Sequence, residues 1–294
     1  MIKFSIINDN VIGSDKRMYT DTVSGKAKCV FEKLGDVMVK HHIAVGIYTD
    51  NIKRCKNLIS TDLLIFDFDD GTQSVEEATA DIKEYDYILV GSKNHLKDKG
   101  DGKGIIPRFH LIIKLKESIV DSEFYGWLAS EIATKLKFKN DHNVKDSARY
   151  LYKHSSVIET NITGKSLDPS AFTSSYARHK KSEADFQAAR QKRMERILAT
   201  RELDINDRTE ACKAYIVQHL DPAICGNGQA DVNFFKVACT AVKCGANMME
   251  ILNWFNQHLC TEPQSKKYLD SKRKKAENKV SDIWSDKFLK QYLP

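Results

Sequence analysis

The chain has 294 residues, of which 41% are hydrophobic, and a formal net charge of +6. This length allows a catalytic domain with a smaller companion, and the hydrophobic fraction excludes disorder throughout the chain. The surplus of basic residues is compatible with a polyanionic partner. The seven cysteines form no Cys-x-x-Cys pair, which argues against a zinc ribbon and a disulfide framework. With no signal-peptide pattern and no apolar run of about 18 residues, we expect a cytoplasmic protein without a membrane partner.

The first half of the chain alternates strand-like and helix-like segments. Apolar patterns predict strands at 2–7, 43–48, 63–69, 87–90 and 109–115. Helices are predicted over about 26–40, from a capping box of Ser74 and Glu77 to about residue 84, and after the N-cap Asp121. A polar loop rich in lysine and glycine is expected from 93 to 104. This mixture predicts an α+β catalytic domain over residues 1–175.

The second half of the chain has no strong strand pattern. A stretch rich in arginine and lysine predicts a basic helical connector over residues 176–204. A second capping-box pattern at Asp207 predicts a helix towards Leu220, and further helices are predicted from Asp231 to Lys243 and after the N-cap Asn247. A lysine-rich helix follows. These segments predict a small all-α domain over residues 205–294.

Two carboxylates close the strongest predicted strand. Asp67 and Asp69 are two residues apart, so both side chains are expected on one face of the strand, with Leu64, Phe66 and Phe68 on the other. Adjacent carboxylates repel each other unless a cation lies between them. Such hard oxygen ligands suit Mg²⁺ or Mn²⁺. The competing interpretation is an exposed acidic turn at Asp70 and Gly71.

Two later segments contain further polar side chains of interest. Arg108 and His110 are expected on one face of a strand, where a cation and an imidazole could hold a triphosphate. The segment 141–152 offers a third carboxylate, Asp141 or Asp146, together with Lys145 and Arg149. Taken singly, the first segment is better explained by a hydrogen-bonded histidine with a surface arginine, and the second by a solvated loop before a strand.

Together, the order and strand context of these segments resemble the archaeo-eukaryotic primase superfamily, especially small primase-polymerases of viruses and plasmids. Its motifs are Asp-x-Asp or Asp-x-Glu on a strand, a motif ending in histidine on another strand, and a later acidic residue. Here they correspond to Asp67 with Asp69, to His110, and to Asp141 with Asp146 as the reserve. The segment Gly91-Ser92-Lys93-Asn94-His95 also looks like the one before the histidine motif in phage-type members. Where that motif often has a small residue, this chain has Arg108.

The resemblance implies a primase-polymerase core, with an RRM-like sheet and an N-terminal α/β module, followed by a helical domain. It implies a DNA-templated nucleotidyltransferase that makes or extends primers on single-stranded DNA by a two-metal mechanism. Asp67, Asp69 and Asp141 would hold Mg²⁺ or Mn²⁺. The NTP or dNTP would contact a set of basic and polar side chains: His110, Arg108, Arg149, Ser92, Lys93, His95 and Lys145. The host cell would be bacterial or archaeal, and unwinding would need a separate helicase because the chain has no Walker A loop.

Three other functions remain open at this point. A phosphatase would use the first aspartate of the Asp-x-Asp pair as a nucleophile, which leaves His110 and Arg149 without roles. A metal-dependent nuclease would use the carboxylates in the same way and cleave DNA. A non-catalytic single-strand DNA-binding replication protein would need a stacking pattern of aromatic residues, which the sequence does not show.

Overall fold

The structure is a computed structural model. It describes residues 1–7, 22–98, 100, 102–139, 145–199, 202–219, 230–260, 264–280 and 282–293. The protein is α+β, with antiparallel sheets and several helices. It divides into two compact units, Met1–Lys180 and Lys181–Pro294. None of the helices that the structure describes combines the length and apolar character required of a membrane span.

All the strands that the structure describes lie in the first unit. They are β1 (Ile2–Ile7), β2 (Gly25–Cys29), β3 (His42–Ala44), β4 (Ile47–Tyr48), β5 (Leu58–Phe68), β6 (Tyr87–Gly91), β7 (Lys97–Asp98), β8 (Ile105–Ile106), β9 (Phe109–Ile119), β10 (Tyr150–Leu151) and β11 (Ser156–Asn161). The helices are α1 (Leu34–Lys40), α2 (Val75–Thr79), α3 (Ser122–Lys135), α4 (Thr173–Ala199), α5 (Ile205–His219), α6 (Ala230–Cys244), α7 (Met248–His258), α8 (Lys266–Lys279) and α9 (Asp286–Leu289). The boundary between the units falls within α4.

Two antiparallel sheets form the first unit, in the orders β10-β3-β1-β2 and β11-β6-β9-β5-β4, and β7 and β8 form a small hairpin. The parallel strands β5 and β6 flank β9, as in a split β-α-β unit. The last strand, β11, lies beside β6, whereas an RRM-like sheet has its last strand beside the first. The RRM-like part of the expectation therefore describes β5, β9 and β6 but not the position of β11.

The two faces of the second sheet are both covered, and this explains the nearly continuous apolar pattern of its strands. One face packs on α3 through a core that includes Phe66, Leu111 and Leu128. The other face includes Ile65 and Ile112, which pack among side chains of the first sheet and α1. Asp67 and His110 follow by strand alternation on this second face, so their polar side chains lie at the end of an apolar surface.

Two predicted elements of the first unit are wrong in detail. Residues 26–29, expected in a helix, belong to β2, where Lys26 and Lys28 are exposed and Ala27 and Cys29 are half-buried against β1. This alternation has the period of a strand. The predicted strand 43–48 is divided between the two sheets, because the chain bends at 45–46. The capping box of Ser74 and Glu77 is confirmed, although its helix ends at Thr79.

The second unit is helical, as expected. Its core includes Phe234, Val237, Ile251 and Phe255. The N-cap Asn247 is confirmed. The predicted cap at Asp207 is wrong, because Asp204, three residues earlier, accepts hydrogen bonds from the backbone N–H groups at the start of α5. Leu220 lies outside the described residues.

Candidate active site

The site is built around a cross-strand pair. Antiparallel pairing of β5 and β9 places Asp67 opposite His110, and β6 places Val90 on the other side of His110. The His110 Nε2 atom lies 3.4 Å from Asp67 Oδ1. Long ladders on both sides fix the backbone of these two residues, because a slip in register by one residue would turn Ile65 and Ile112 away from the core. The fold therefore holds the pair in place through its apolar neighbours.

Asp67 has two basic partners although it is only 8% exposed. The second partner is Arg149, whose Nη2 donates to Asp67 Oδ2. Burial raises the pKa of Asp67, but His110 and Arg149 outweigh it and hold the pKa below its ordinary value. The carboxylate is consequently ionised at neutral pH, and it is balanced by hydrogen-bonded partners as buried charges require.

A second histidine supports the first. The His154 Nε2 atom lies 2.9 Å from His110 Nδ1, and the two rings meet edge to face with centroids 4.9 Å apart. His154 is 5% exposed. Burial, together with the nearby His110, lowers the pKa of His154 to about 3. His154 is therefore neutral at physiological pH.

These side chains open onto a cavity of about 780 Å³ in the first unit. Its walls come from the ends of β5, β6 and β9 and from the segment that begins with β10. The lining residues are Asp67, Asp69, Ser92, Lys93, Asn94, Asp98, His110, Arg149, Tyr150, Leu151, Tyr152, Lys153 and His154. A cavity of this size accommodates a small-molecule ligand with several polar anchoring points.

Asp69 and Arg108 are neighbours with different positions relative to the cavity. The Asp69 side chain is 44% exposed and lines the cavity. Arg108 has no exposed surface and is absent from the lining. Its Nε donates to the backbone carbonyl of Asp69 at 3.2 Å and its Nη1 to that of Lys97 at 3.0 Å. Arg108 therefore joins the loop after β5 to the β7–β8 hairpin through hydrogen bonds to the backbone of Asp69 and Lys97. This position differs from the triphosphate contact that was expected of it.

Residues of the segment after β6 also differ in whether they line the cavity. Ser92 and Lys93 line the cavity, as the expected nucleotide contacts would. The Ser92 Oγ atom is buried and has no hydrogen-bond partner among the described residues. His95 does not line the cavity. Its Nδ1 instead lies 2.9 Å from the carbonyl oxygen of Arg108 and accepts the Arg108 N–H, which ties this segment to the start of β9.

The third predicted acidic position is only partly described. Asp141 lies outside the described residues. Asp146, the reserve, does not line the cavity; its carboxylate accepts the Cys55 thiol and the Ala148 N–H. This carboxylate shapes the turn that leads to Arg149, whose N–H donates to the Asp146 carbonyl. Lys145 is exposed and also lies outside the lining.

The residues that sequence reasoning missed lie mainly after β10. Lys153 and His154 line the cavity and lie just beyond the segment 141–152, whereas Tyr150 and Tyr152, which also line it, lie within that segment without an assigned role. The lysine–histidine pair, four and five residues after the predicted arginine, was the available signal. It has no characteristic spacing, and contacts with distant segments, among them the pairing of β10 with β3 and the bonds of residues 153–155 to His42, Met38 and Gly91, bring these residues to the cavity.

The donor set of the cavity can be compared with the needs of a divalent cation. Among the residues described here, no group of three or more His, Cys, Asp or Glu is arranged to hold a metal ion. Asp67 and Asp69 nevertheless place two carboxylates in one cavity. Mg²⁺ is typically held by one or two carboxylates, with water and substrate phosphates completing its coordination. Asp67 and Asp69 supply the number of carboxylates that such a cation typically takes, and they do not form a cage that would hold one without a substrate.

Comparisons with known proteins give little guidance. No protein-family model matches the chain, and no curated protein sequence matches it. Among solved structures, the crystal structure of primase RepB′ is similar at 13% sequence identity, and the match covers 99% of this chain and 91% of that chain. The TM-score of this match is 0.37.

Proposed function

We propose that the protein is a DNA-templated nucleotidyltransferase that makes or extends primers on single-stranded DNA. The observation that carries the proposal is the buried Asp67–His110 pair with Arg149, which opens together with Asp69 onto a cavity of about 780 Å³. Carboxylates and phosphate-binding donors in one cavity are what transfer of a nucleotidyl group requires. The substrates are an NTP or dNTP and a single-stranded DNA template.

The carboxylates are assigned to cation binding. Asp67 and Asp69 would hold Mg²⁺ or Mn²⁺, and Asp141 is the proposed third ligand. A bound divalent cation would neutralise charge on the triphosphate and activate the attacking 3′-hydroxyl. Of these two carboxylates Asp69 is the more accessible, because its side chain is 44% exposed and that of Asp67 is 11% exposed; the Asp69 carboxylate lies 3.6 Å from Arg108 Nε.

The phosphate-binding donors are assigned to two walls of the cavity. His110 and Arg149 lie beside Asp67, and Ser92 and Lys93 belong to the wall after β6. Since the Ser92 hydroxyl is buried without a partner among the described residues, a ligand oxygen would satisfy it. Arg108 is assigned a positioning role, because its guanidinium is buried on backbone carbonyls.

The phosphatase interpretation would use the same aspartate. Its nucleophile would be Asp67, which is 8% exposed and contacts His110 and Arg149. These contacts bear on a nucleophile and on a metal ligand alike, so the phosphatase is separated from a polymerase by experiment. A metal-dependent nuclease would use the same carboxylates, so it is separated from a polymerase by experiment.

The test is synthesis on a defined template. The protein is incubated with labelled nucleotides and Mg²⁺ or Mn²⁺, with unprimed single-stranded DNA, with a primed template, or with no DNA. We expect labelled products that require DNA and whose sequence is complementary to the template. Products that need a primer would indicate extension without initiation. Degradation of the DNA without synthesis would replace this proposal by the nuclease, and neither activity in a folded protein would contradict both.

A further inference from the structure

A rigid backbone segment carries His154. The His154 N–H donates to the Met38 carbonyl of α1 at 3.0 Å, and the next residue, Ser155, donates its N–H to the Gly91 carbonyl of β6 at 2.9 Å. On the other side, the Lys153 N–H donates to His42 Nδ1 at 3.1 Å. Three successive residues are thus bound to three different elements, so the imidazole of His154 is held in one place against His110.

The hydrogen-bond partners of His110 restrict where its protons lie. Its Nε2 faces the Asp67 carboxylate, which can only accept, so the favoured state of His110 has a proton on Nε2. Its Nδ1 faces His154 Nε2. The proton that each ring nitrogen of a histidine carries is set by the bond that the other nitrogen makes. His154 therefore acts on the nitrogen of His110 that faces away from Asp67.

Two arrangements remain, in which the proton of His154 is on Nδ1 or on Nε2. The surroundings of Nδ1, the nitrogen that points away from His110, distinguish them. His154 Nδ1 is buried and has no hydrogen-bond partner among the described residues. If that nitrogen carried the proton, a buried N–H would lack an acceptor, which is unfavourable. If the proton is on Nε2, it is used in the bond to His110 and the far nitrogen has only a lone pair. In proteins, buried N–H groups without an acceptor are rarer than buried acceptors without a donor, so we favour the proton on Nε2.

We propose that His154 is a positioning residue that donates its Nε2–H to His110 Nδ1 and so fixes the ring of His110 with its Nε2–H directed to Asp67 and the cavity. In this arrangement the imidazole of His110 is held in one orientation at the wall of the cavity. Without His154, the ring of His110 can turn or exchange its proton between the two nitrogens. The consequence for nucleotide affinity rests on the proposed function; the arrangement of the two rings does not.

Two substitutions separate the hydrogen bond from packing. His154→Gln retains an amide N–H near the position of Nε2, and His154→Leu fills similar space without a polar group. The first readout is long-range ¹⁵N–¹H NMR of the histidine rings, with His110 assigned through a His110→Gln variant. The second readout is the affinity for a nucleoside triphosphate in the presence of Mg²⁺, measured by titration calorimetry.

We expect a pyridine-type Nδ1 and a pyrrole-type Nε2 for His110 in the unaltered protein. His154→Gln should retain this pattern and bind nucleotide within about twofold. His154→Leu should show His110 in tautomeric exchange and bind nucleotide about tenfold more weakly, as for other residues that orient a ligand-binding side chain. A pyrrole-type Nδ1 in the unaltered protein, or an unchanged pattern in His154→Leu, would overturn the proposal. If the unaltered protein binds no nucleotide, the function fails, while the NMR pattern still decides the arrangement of the rings.

Discussion

The ion pair between Asp67 and Arg149 gives a quantitative test of the site's electrostatics. Breaking a buried pair by removal of one partner costs about 3–5 kcal/mol. The cost should be smaller here, because Asp67 retains His110 and the Arg149 side chain is 19% exposed. We therefore expect Arg149→Gln and Asp67→Asn each to lower the free energy of unfolding of the first unit by about 2–3 kcal/mol.

The double variant, with both substitutions, measures the coupling energy between Asp67 and Arg149. It places two neutral amides at positions 67 and 149, where they can bond to each other, so neither leaves an uncompensated charge. We expect a coupling energy of about 1.5–2 kcal/mol, with the double variant less destabilised than the sum of the single ones. Native-state hydrogen exchange of the Leu111 amide, in the central strand β9, reports this unit without interference from the helical one. Single-variant effects that add within about 0.5 kcal/mol would refute the pairing.

Three further predictions concern the scaffold. Burial raises the pKa of Asp86, but hydrogen bonds from Lys114 and from two backbone N–H groups outweigh burial and hold the pKa below its ordinary value. The ionised Asp86 therefore stabilises the folded protein at neutral pH, and this stabilisation is lost as pH falls through the lowered pKa. Asp86→Asn should destabilise the first unit by about 1–3 kcal/mol at pH 7, and urea titrations between pH 2 and pH 7 should show a weaker acid dependence below about pH 4. Ser74→Ala, which removes the capping box shared with Glu77, should cost about 1 kcal/mol in the same assay. Arg108→Leu leaves two carbonyls without their donor and should increase hydrogen exchange at 69–71 and 97–98; unchanged exchange there would contradict its positioning role.

How far the sequence predicts this fold depends on the range of the determining contacts. The strand that contains Asp67 and the capping box of Ser74 are local patterns, and both are found in the structure. Residues 26–29 were misassigned because a short alternation beside a helical stretch is ambiguous until β1 supplies a partner. Pairing between distant segments is not encoded in any short window.

The same distinction applies to the site. Strand alternation correctly grouped Asp67 with Asp69 on one cavity. It misplaced Arg108, which precedes the first residue of β9 and whose long side chain turns under the loop after β5. His154 could not be found from spacing, since contacts with segments far away in the sequence bring it to His110. Composition and periodicity do not predict buried polar networks, because distant segments of the chain contribute their residues.

The most direct test of the central claim compares two neighbouring aspartates. Asp69 lines the cavity, whereas the Asp70 carboxylate lies outside its lining and accepts hydrogen bonds from the N–H and hydroxyl of Thr72. Asp69→Asn and Asp70→Asn remove the same charge from adjacent positions, and the amide oxygen that the second substitution introduces can still accept both bonds. In a template-dependent synthesis assay, we expect Asp69→Asn to lower the rate by at least about 100-fold and Asp70→Asn by less than about twofold. Equal activity of the two variants would contradict the assignment of this cavity as the site of nucleotidyl transfer.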